Sequence, residues 1–476
     1  MLRKNFIFLV YFYKFSKKLF VALLFLITIF LFEKSSLAGN VFFNGNGWHQ
    51  LDIPWKGLKE FEIYPKEFNK FEIIVSSHAV IYHSYISYYT SNIYRSFMGN
   101  ALFGDNGWYR VGEKEESKWR RDSDQDQPDI LWKGLKEFAI DPKEFNNFEI
   151  IVSGQAAQGN LLVTRSSSTL SINVKAQILL NDETLQNKVE ILPFYDSPNY
   201  ILQVKTPDFC TSPNCVLTNI NIIFPRNLKE FGNFFINVNN LNINNDDLKD
   251  ITFDNVNWKL NPSINVKDLK SREISVKSRG KISGNYYIDD SLLLQTSNAQ
   301  INAITKSFSD STPKSIKLFT SNSTIRGSFP LALLFQAHTS NGGIDLKITQ
   351  NKQDTGKIIL DTNNGIISGV YDVNGEWHAS TSNGNIDVKL NLVNLFELVR
   401  ISGRTSNGNI YTSISDSYIG RFHLQTSNGK TAIEGSYDYI NYNDNTQSLK
   451  KGYKREYNNN ELSLYSSNDR IYLKFF

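Results

Sequence analysis

Cysteine and histidine are scarce in this 476-residue chain, with two and six copies respectively. A zinc site needs about four close ligands, and the histidines form no pair at that spacing; they are His49, His78, His83, His338, His378 and His423. The two cysteines, Cys210 and Cys215, predict a small disulfide loop if the protein is exported and free thiols if it is not. We therefore expect no metal site and no cofactor.

Catalytic motifs and basic patches are also absent from the sequence. It contains no Gly-x-Ser-x-Gly elbow and no glycine-rich phosphate loop, so we expect no nucleophilic triad and no catalytic residues. The formal net charge is +4, but residues 1–38 carry six lysines and arginines against one glutamate. The rest of the chain is nearly neutral and has no basic stripe, which argues against nucleic-acid binding.

The main apolar run is confined to the N-terminus. Residues 19–32 are apolar except for Thr28, follow three lysines and precede Ser36-Leu37-Ala38, which is the pattern of a secretory signal peptide. The run is shorter than the roughly 20 residues that span a bilayer, and an uncleaved signal-anchor is the alternative. Residues 1–38 therefore predict a secreted or cell-surface protein, with membrane contact only through this segment if it is retained.

The sequence repeats one phrase, Thr-Ser-Asn-(Gly)-x-Ile, eight times after residue 290. Counted from the asparagine, position −2 is threonine in seven copies, position +1 is glycine in five and position +3 is isoleucine in seven. The copies are 19 to 24 residues apart, except for a last interval of 40 that we interpret as about two coils. The asparagines, interpreted as structural corners, are Asn298, Asn322, Asn341, Asn364, Asn383, Asn407, Asn428 and Asn468.

Apolar and polar residues alternate after each corner. Positions +3, +5 and +7 are apolar, as in Ile344, Leu346 and Ile348, and the residues between them are polar. This period of two predicts strands with one buried face. Asn-Gly tolerates positive φ, so we expect it to supply a left-handed corner. Each unit then consists of a strand, a corner and a strand.

Two all-β architectures fit these units. In a parallel β-solenoid the corners stack, and the asparagine amides can form a hydrogen-bonded ladder along the axis. In a meander each Asn-Gly is instead a hairpin turn. The constant register favours the solenoid over residues 291–476. Residues 131–290 read as successive strands and predict a strand-rich cap that covers the first coil.

The N-terminal region contains a second duplication. Residues 55–76 and 132–153 match at 19 of 22 positions. We interpret residues 39–77 as a partial duplicate of the domain start, and 78–130 as a linker or insert with the second copy. Met98 is the only internal methionine and directly precedes that copy. A product that starts at Met98 would lack the leader and would be cytoplasmic.

The repeats resemble those of a known family. The motifs Leu294-Gln-Thr-Ser-Asn298, Ala379-Ser-Thr-Ser-Asn-Gly-Asn-Ile386 and Gly403-Arg-Thr-Ser-Asn-Gly-Asn-Ile410, after a strand-rich start, are similar to the putative adhesin domains over about residues 148–476. This resemblance implies a β-solenoid-like fold and a surface or adhesive role. It implies no catalytic residues.

Three functions remain open. The first is a non-enzymatic, adhesin-like surface or scaffold protein that binds an unidentified protein or glycan through the outward row at position +4, which comprises Asn302, Arg326, Asp345, Ser368, Asp387, Tyr411, Ala432 and Tyr472. The second is a cytosolic structural or interaction protein that starts at Met98. The third is a β-helix carbohydrate-active enzyme that uses Asp345 and Asp387. Two coils would separate these carboxylates by about 10 Å, beyond the usual acid pairs.

One modification site coincides with a corner. Asn322-Ser-Thr324 is an acceptor sequence for N-glycosylation. If the protein is exported and Asn322 is modified, the ladder must tolerate an outward side chain at that coil.

Overall fold

The computed structural model describes residues 6–11, 39–44, 48–53, 72–76 and 128–476, with gaps at 155–156, 210–214, 247, 351–353, 395–397, 436–438 and 457. It divides into two compact units, Met1–Gly112 and Glu113–Phe476. Among the described residues, none of the helical segments has the length and apolar character needed to cross a membrane.

The described part of the first unit is a four-stranded sheet. Its strands are β1 (Phe6–Tyr11), β2 (Gly39–Asn44), β3 (Trp48–Ile53) and β4 (Glu72–Ser76). They lie in the order β3-β2-β1-β4, with β1 and β2 parallel and the other pairs antiparallel. The apolar run 19–32 and Met98 lie outside the described residues, so the signal sequence and the alternative start stay predictions.

The second unit is built almost entirely of strands, and one short 3-10 helix, Glu183–Lys188, is described in it. Its first strands are β5 (Ile130–Leu131), β6 (Glu137–Ile140), β7 (Asn147–Ser153), β8 (Ala157–Ser166), β9 (Ile172–Leu180), β10 (Glu190–Asp196), β11 (Asn199–Lys205), β12 (Val216–Pro225), β13 (Glu230–Val238), β14 (Leu241–Asn245), β15 (Leu248–Leu260), β16 (Ile264–Ser278) and β17 (Ile282–Thr296).

The repeat region continues with shorter strands, because a corner or loop interrupts the chain every few residues. They are β18 (Ile301–Ser307), β19 (Ser315–Thr320), β20 (Ile325–Pro330), β21 (Leu334–Thr339), β22 (Ile344–Thr349), β23 (Gly356–Thr362), β24 (Ile367–Val373), β25 (Gly375–Thr381), β26 (Ile386–Leu392), β27 (Arg400–Thr405), β28 (Ile410–Ile414), β29 (Gly420–Thr426), β30 (Thr431–Glu434), β31 (Ile440–Asn445), β32 (Leu449–Lys454), β33 (Glu461–Ser466) and β34 (Ile471–Phe475).

Two long parallel ladders run along the stack of coils. Sheet I contains the strands that follow the corners, in the order β12-β8-β14-β16-β17-β18-β20-β22-β24-β26-β28-β34-β30. Sheet II contains the strands that precede them, in the order β11-β7-β13-β15-β16-β17-β19-β21-β23-β25-β27-β33-β29. Long β16 and β17 contribute to both sheets. The all-β solenoid prediction is therefore confirmed, and the hairpin meander is wrong.

The core lies between the two sheets and follows the predicted alternation. In β22 the residues Ile344, Leu346 and Ile348 are buried, while Asp345 and Lys347 between them are exposed. Each buried aliphatic side chain of this kind contributes about 1.5 to 3 kcal/mol. The same inward positions in neighbouring coils pair directly, as Ile344 does with Ile325 and Ile367, so the buried rows join into one continuous core.

The last coil in the sequence is not the last coil in the stack. β33 pairs in parallel with β27 on one side and β29 on the other, and β34 pairs with β28 and β30. The coil of Asn468 therefore lies between those of Asn407 and Asn428. The interpretation of the 40-residue interval as two stacked coils is wrong. This segment instead contains the antiparallel pair β31–β32, which covers the edge of β29.

The N-terminal end of the stack has a corresponding arrangement. β7 lies between β11 and β13, and β8 lies between β12 and β14. The coil formed by β7 and β8 is thus enclosed by two coils that come later in the sequence. Outside them, β10 pairs antiparallel with β11, and β9 pairs antiparallel with β12, β5 and β6. Parallel stacking therefore begins within residues 131–290, alongside antiparallel strands that cover the edges.

A buried lysine ties the C-terminal hairpin to the stack. The Lys454 side chain is fully buried, and its Nζ lies 2.9 Å from Asp416 Oδ1. It also donates to the Asp416 backbone carbonyl and lies 4.7 Å from the centre of the Phe475 ring. Burial lowers the pKa of Lys454, and the hydrogen bond to Asp416 opposes that shift. The contact joins β32, the loop before β29 and β34.

Candidate binding face and corner ladder

The eight repeat asparagines form one chain of side-chain hydrogen bonds. From Asn322 onward, each amide nitrogen donates to the amide oxygen of the adjacent corner nearer the N-terminal end of the stack, at 2.5 to 2.8 Å. From the N-terminal end the order is Asn298, Asn322, Asn341, Asn364, Asn383, Asn407, Asn468 and Asn428. The side chains are exposed, so the ladder runs along the outer edge where the two sheets meet.

The possible modification sites have different surroundings. Asn322 uses both ends of its amide in the ladder, because it donates to Asn298 at 2.5 Å and accepts from Asn341 at 2.6 Å. A glycan on its Nδ2 would replace one of the two donor hydrogens at this rung, and N-glycosylation stays a prediction. Cys215 is buried, while Cys210 lies outside the described residues, so their disulfide also stays a prediction.

In four copies the threonine at position −2 bonds both within its own corner and to the adjacent coil, a role that our sequence reasoning missed. Thr381 Oγ1 accepts from the Gly384 N–H in its own corner and donates to the Gly365 carbonyl of the preceding coil. Thr362 does the same with Gly365 and Gly342. A buried backbone N–H and a buried carbonyl are thus satisfied by one hydroxyl. Threonine occurs at this position in seven of eight copies, and this regularity could have indicated a structural role for the hydroxyl.

The glycine at position +1 has a different purpose from the one expected. Neither the repeat asparagines nor these glycines adopt the left-handed conformation, so the predicted positive-φ corner is wrong. A Cβ on Gly365 would lie 1.7 Å from the Gly342 carbonyl oxygen, and one on Gly384 would lie 1.8 Å from that of Gly365. Glycine is needed here because successive corners stack backbone against backbone. Ala299, Ser323 and Asp469 occupy this position in the remaining copies.

The outward row at position +4 lies on the exposed surface of sheet I, which we call the binding face. Its members pair directly across each strand boundary, and the row extends beyond the repeats toward the N-terminal end. In spatial order it comprises Leu162, Asn244, Asn265, Ser283, Asn302, Arg326, Asp345, Ser368, Asp387, Tyr411, Tyr472 and Ala432.

Insertion of the last coil brings two aromatic residues of this row together. Tyr411 and Tyr472 are register partners, and their ring centres are 6.4 Å apart. Sequence order placed Ala432 between them, whereas the structure places it on the far side of Tyr472. Tyr411 is 40% exposed. The C-terminal end of the binding face therefore carries an aromatic pair that the repeat spacing alone did not predict.

The acidic residues of the row are not gathered into a catalytic pair. Ser368 lies in register between Asp345 and Asp387. Asp345 instead faces Arg326, with 3.9 Å between Oδ2 and Nε. Both side chains are more than half exposed, so this ion pair contributes little to stability.

The outer surface of sheet II, which we call the back face, carries a cluster of charge contacts around Glu376. Glu376 lies 2.9 Å from Lys357, 3.2 Å from His378 and 3.4 Å from Arg400. The hydrogen bonds from Lys357 and His378 lower the pKa of Glu376 to about 2. Nearby, burial raises the pKa of Asp361, against the effect of His338 and His378. Across the described residues, no group of three or more His, Cys, Asp or Glu side chains is arranged to hold a metal ion.

Two of the solved structures that match this chain have similar names. One is a putative cell adhesion protein from Clostridium sporogenes, with 10% identity, 72% of this chain and 98% of that chain covered, and a TM-score of 0.14. The other is a putative adhesin from Bacteroides fragilis, with 13% identity, 60% and 99% coverage, and a TM-score of 0.23. No family model and no curated protein matches.

The names of both structures agree with the resemblance to adhesin domains drawn from the repeats. Both TM-scores are below 0.5, so the similarity carries no argument about this chain.

Proposed function

We propose that the chain is a non-enzymatic, adhesin-like surface or scaffold protein that binds a protein or glycan partner through the binding face. The main support is the unbroken outward row on sheet I, where polar, charged and aromatic side chains repeat at a spacing of about 4.8 Å. Such a row offers many equivalent weak contacts, which together give avidity to a partner with repeated groups.

Export is part of this proposal. Residues 1–38 would direct the chain to the cell surface or the medium, where a long exposed face can meet a partner. A hydrolytic function has less support, because Ser368 separates Asp345 from Asp387 in the row and glycosidases use closer acid pairs.

Retention on surfaces tests the binding role. Beads that carry the full chain are passed over cultured cells, matrix proteins and immobilised glycans under flow. We expect retention, and we expect the triple variant Arg326→Ala, Asp387→Ala, Tyr411→Ala to reduce it at least tenfold. The matched control places alanine at Lys317, Gln336 and Ser402 on the back face. Equal retention of both variants, or no retention of the unaltered chain, would contradict the proposal.

A second candidate is a cytoplasmic scaffold that starts at Met98. It is favoured by the division of the chain, because a product from Met98 contains the whole of the unit Glu113–Phe476. N-terminal sequencing and fractionation of the native protein separate the two candidates. A mature start at Gly39 outside the cell supports the adhesin, and a start at Met98 inside the cell supports the scaffold.

A further inference from the structure

A groove lies on the binding face toward its N-terminal end. It is open to solvent, and its volume of about 410 Å3 is within the range of roughly 300 to 1,000 Å3 that is usual for ligand sites. We call it the amide groove, because amide side chains predominate along it; its principal residues are Asn244, Asn265, Lys267, Ser283, Asn285 and Asn302.

The groove forms where sheet I is irregular. β14 ends at Asn245, and β16 shifts register between Val266 and Leu269, where Asp268 has a φ of 83°. A bulge of this kind bends the strand and increases its twist. The surface therefore becomes concave at this point of the row.

The lining is polar and mostly uncharged. Asn244, Asn265 and Asn302 are exposed, and within the described chain the amides of Asn244 and Asn302 make no internal hydrogen bond. Asn265 Oδ1 accepts from Ser283 Oγ at 3.0 Å, and its NH2 group has no partner among the described residues. Each free amide can both donate and accept. Lys267 supplies the one charge among the six principal residues.

The polar groups are also evenly spaced along the solenoid axis. Asn244, Asn265, Ser283 and Asn302 are register partners in successive strands. At about 4.8 Å per strand, the four positions cover roughly 14 Å. Ile304, which is 50% exposed, lies beside them in the groove and offers a small apolar contact.

We propose that the amide groove binds an uncharged glycan chain that runs along the solenoid axis. Sugar hydroxyls donate and accept hydrogen bonds as amides do, and a polymer repeats them, so one ligand can meet several rungs at once. The CH face of a sugar ring can pack on Ile304. Protein partners instead depend on buried aromatic and apolar anchors, which this lining does not offer. The inference rests on the proposed function, since it names the ligand class of the same face.

A glycan array with the full chain tests this inference. The probes are neutral oligomers of glucose, N-acetylglucosamine, mannose and galactose in increasing lengths, together with polygalacturonate and heparin as anionic polymers. We expect a neutral oligomer to bind, with affinity that rises with length until the groove is filled. The double variant Asn265→Ala, Asn302→Ala should weaken binding at least about tenfold, since it removes two hydrogen-bonding side chains.

The matched control is Lys317→Ala with Gln336→Ala, which lies on the back face and should bind like the unaltered chain. The inference is overturned if no neutral oligomer binds, if only anionic polymers bind, or if the groove variant and the control behave alike. If the groove variant still binds neutral oligomers while surface retention depends on Arg326, Asp387 and Tyr411, this inference is sunk and the proposed function is left intact. Loss of all retention by the unaltered chain would sink the proposed function itself.

Discussion

The middle of the stack and its two ends meet the same physical problem in different ways. Between Asn298 and Asn407 the coils follow chain order, and each coil is covered on both sides by its sequence neighbours. A terminal coil has no such neighbour and would expose a strand edge. At each end, the coil that comes first or last in the sequence lies between two other coils, and antiparallel strands cover the edge outside them.

This difference shows which parts of the stack depend on local motifs. In the middle, the threonine, asparagine and glycine of each corner bond or pack against the adjacent corner. At the C-terminal end the same corner chemistry persists, since Ser466 Oγ donates to the Gly408 carbonyl and Thr426 to that of Asp469. The order of the coils there is set by long-range pairing and by the buried Lys454. The corner motif thus fixes the register between adjacent coils but not the order in which the coils stack.

The largest expected effect comes from removal of the enclosed coil. Truncation of residues 457–476 deletes β33 and β34, with five buried apolar side chains: Leu462, Leu464, Ile471, Leu473 and Phe475. At about 1.5 to 3 kcal/mol each, this loss of about 7 to 15 kcal/mol equals the usual stability of a domain. We expect unfolding or aggregation of the C-terminal region, measured by thermal melting and limited proteolysis.

A deletion of similar size in the middle is the matched comparison. Removal of residues 342–364 takes out one whole coil and joins Asn341 to Gly365, so β20 and β21 can stack on β24 and β25 in the same register. We expect a folded, shorter solenoid. The contrast between ends and middle would be lost if both deletions were tolerated or both abolished folding.

Corner glycines should be sensitive in the middle and at the end. Gly365→Ala places a methyl group 1.7 Å from the backbone oxygen of Gly342, and Gly429→Ala places one 2.0 Å from that of Asp469. Backbone must move in both cases, so we expect each change to lower the free energy of unfolding by about 2 to 3 kcal/mol. Gly343→Ala is the control, because its nearest atom is 3.2 Å away. Urea titration measures all three, and a tolerant Gly429 would show that the enclosed coil is held less closely.

The threonine hydroxyls should contribute less than the glycines. Thr381→Val leaves the Gly384 N–H and the Gly365 carbonyl without their hydroxyl partner, which should cost about 1 to 3 kcal/mol. Thr412→Val is the control: its buried Oγ1 has no hydrogen-bond partner among the described residues, so the change should be neutral or stabilising. Chemical denaturation distinguishes them, and equal losses for both variants would contradict the bridging role.

The charge cluster on the back face should have the smallest effect. Because the pKa of Glu376 is lowered from 4.5 to about 2, its stabilising contribution is present above pH 4.5 and is lost as the pH falls toward 2. The contacts are partly exposed, so solvent screening keeps the contribution below about 1 kcal/mol. Melting temperatures of the unaltered chain and Glu376→Gln should differ at pH 6 and converge near pH 2. A constant difference over this range would refute the assignment.

Repeat periodicity was sufficient to predict the solenoid. The alternation at Ile344, Leu346 and Ile348 gave the buried face, and the constant asparagine register gave the stacked corners, because both are local properties of the sequence. The prediction of a positive φ for the glycine at position +1 was wrong because it also used local properties alone. A residue that tolerates positive φ is also the one that permits close approach, and sequence alone does not separate these two uses.

The order of the last coils lay beyond local reasoning. Asn428 and Asn468 carry variants of one motif, and the motif alone does not decide which of them stacks on the coil of Asn407. The choice depends on the hairpin β31–β32 and on the burial of Lys454 against Asp416, which are contacts between segments about 40 residues apart. For the binding face, the row at position +4 was predicted, whereas the Tyr411–Tyr472 pair and the amide groove depend on coil insertion and on a bulge.

Enclosure of the terminal coil has a mechanical consequence. In a simple solenoid the terminal coil pairs with one adjacent coil only. Tension on the C-terminus can therefore separate the coils one after another from that end. Here β33 is held by six register pairs to β27 and by six to β29, so both rows must give way before the chain end is released. Under tension at its C-terminal end, such a coil should need a higher unfolding force than a coil with one neighbour.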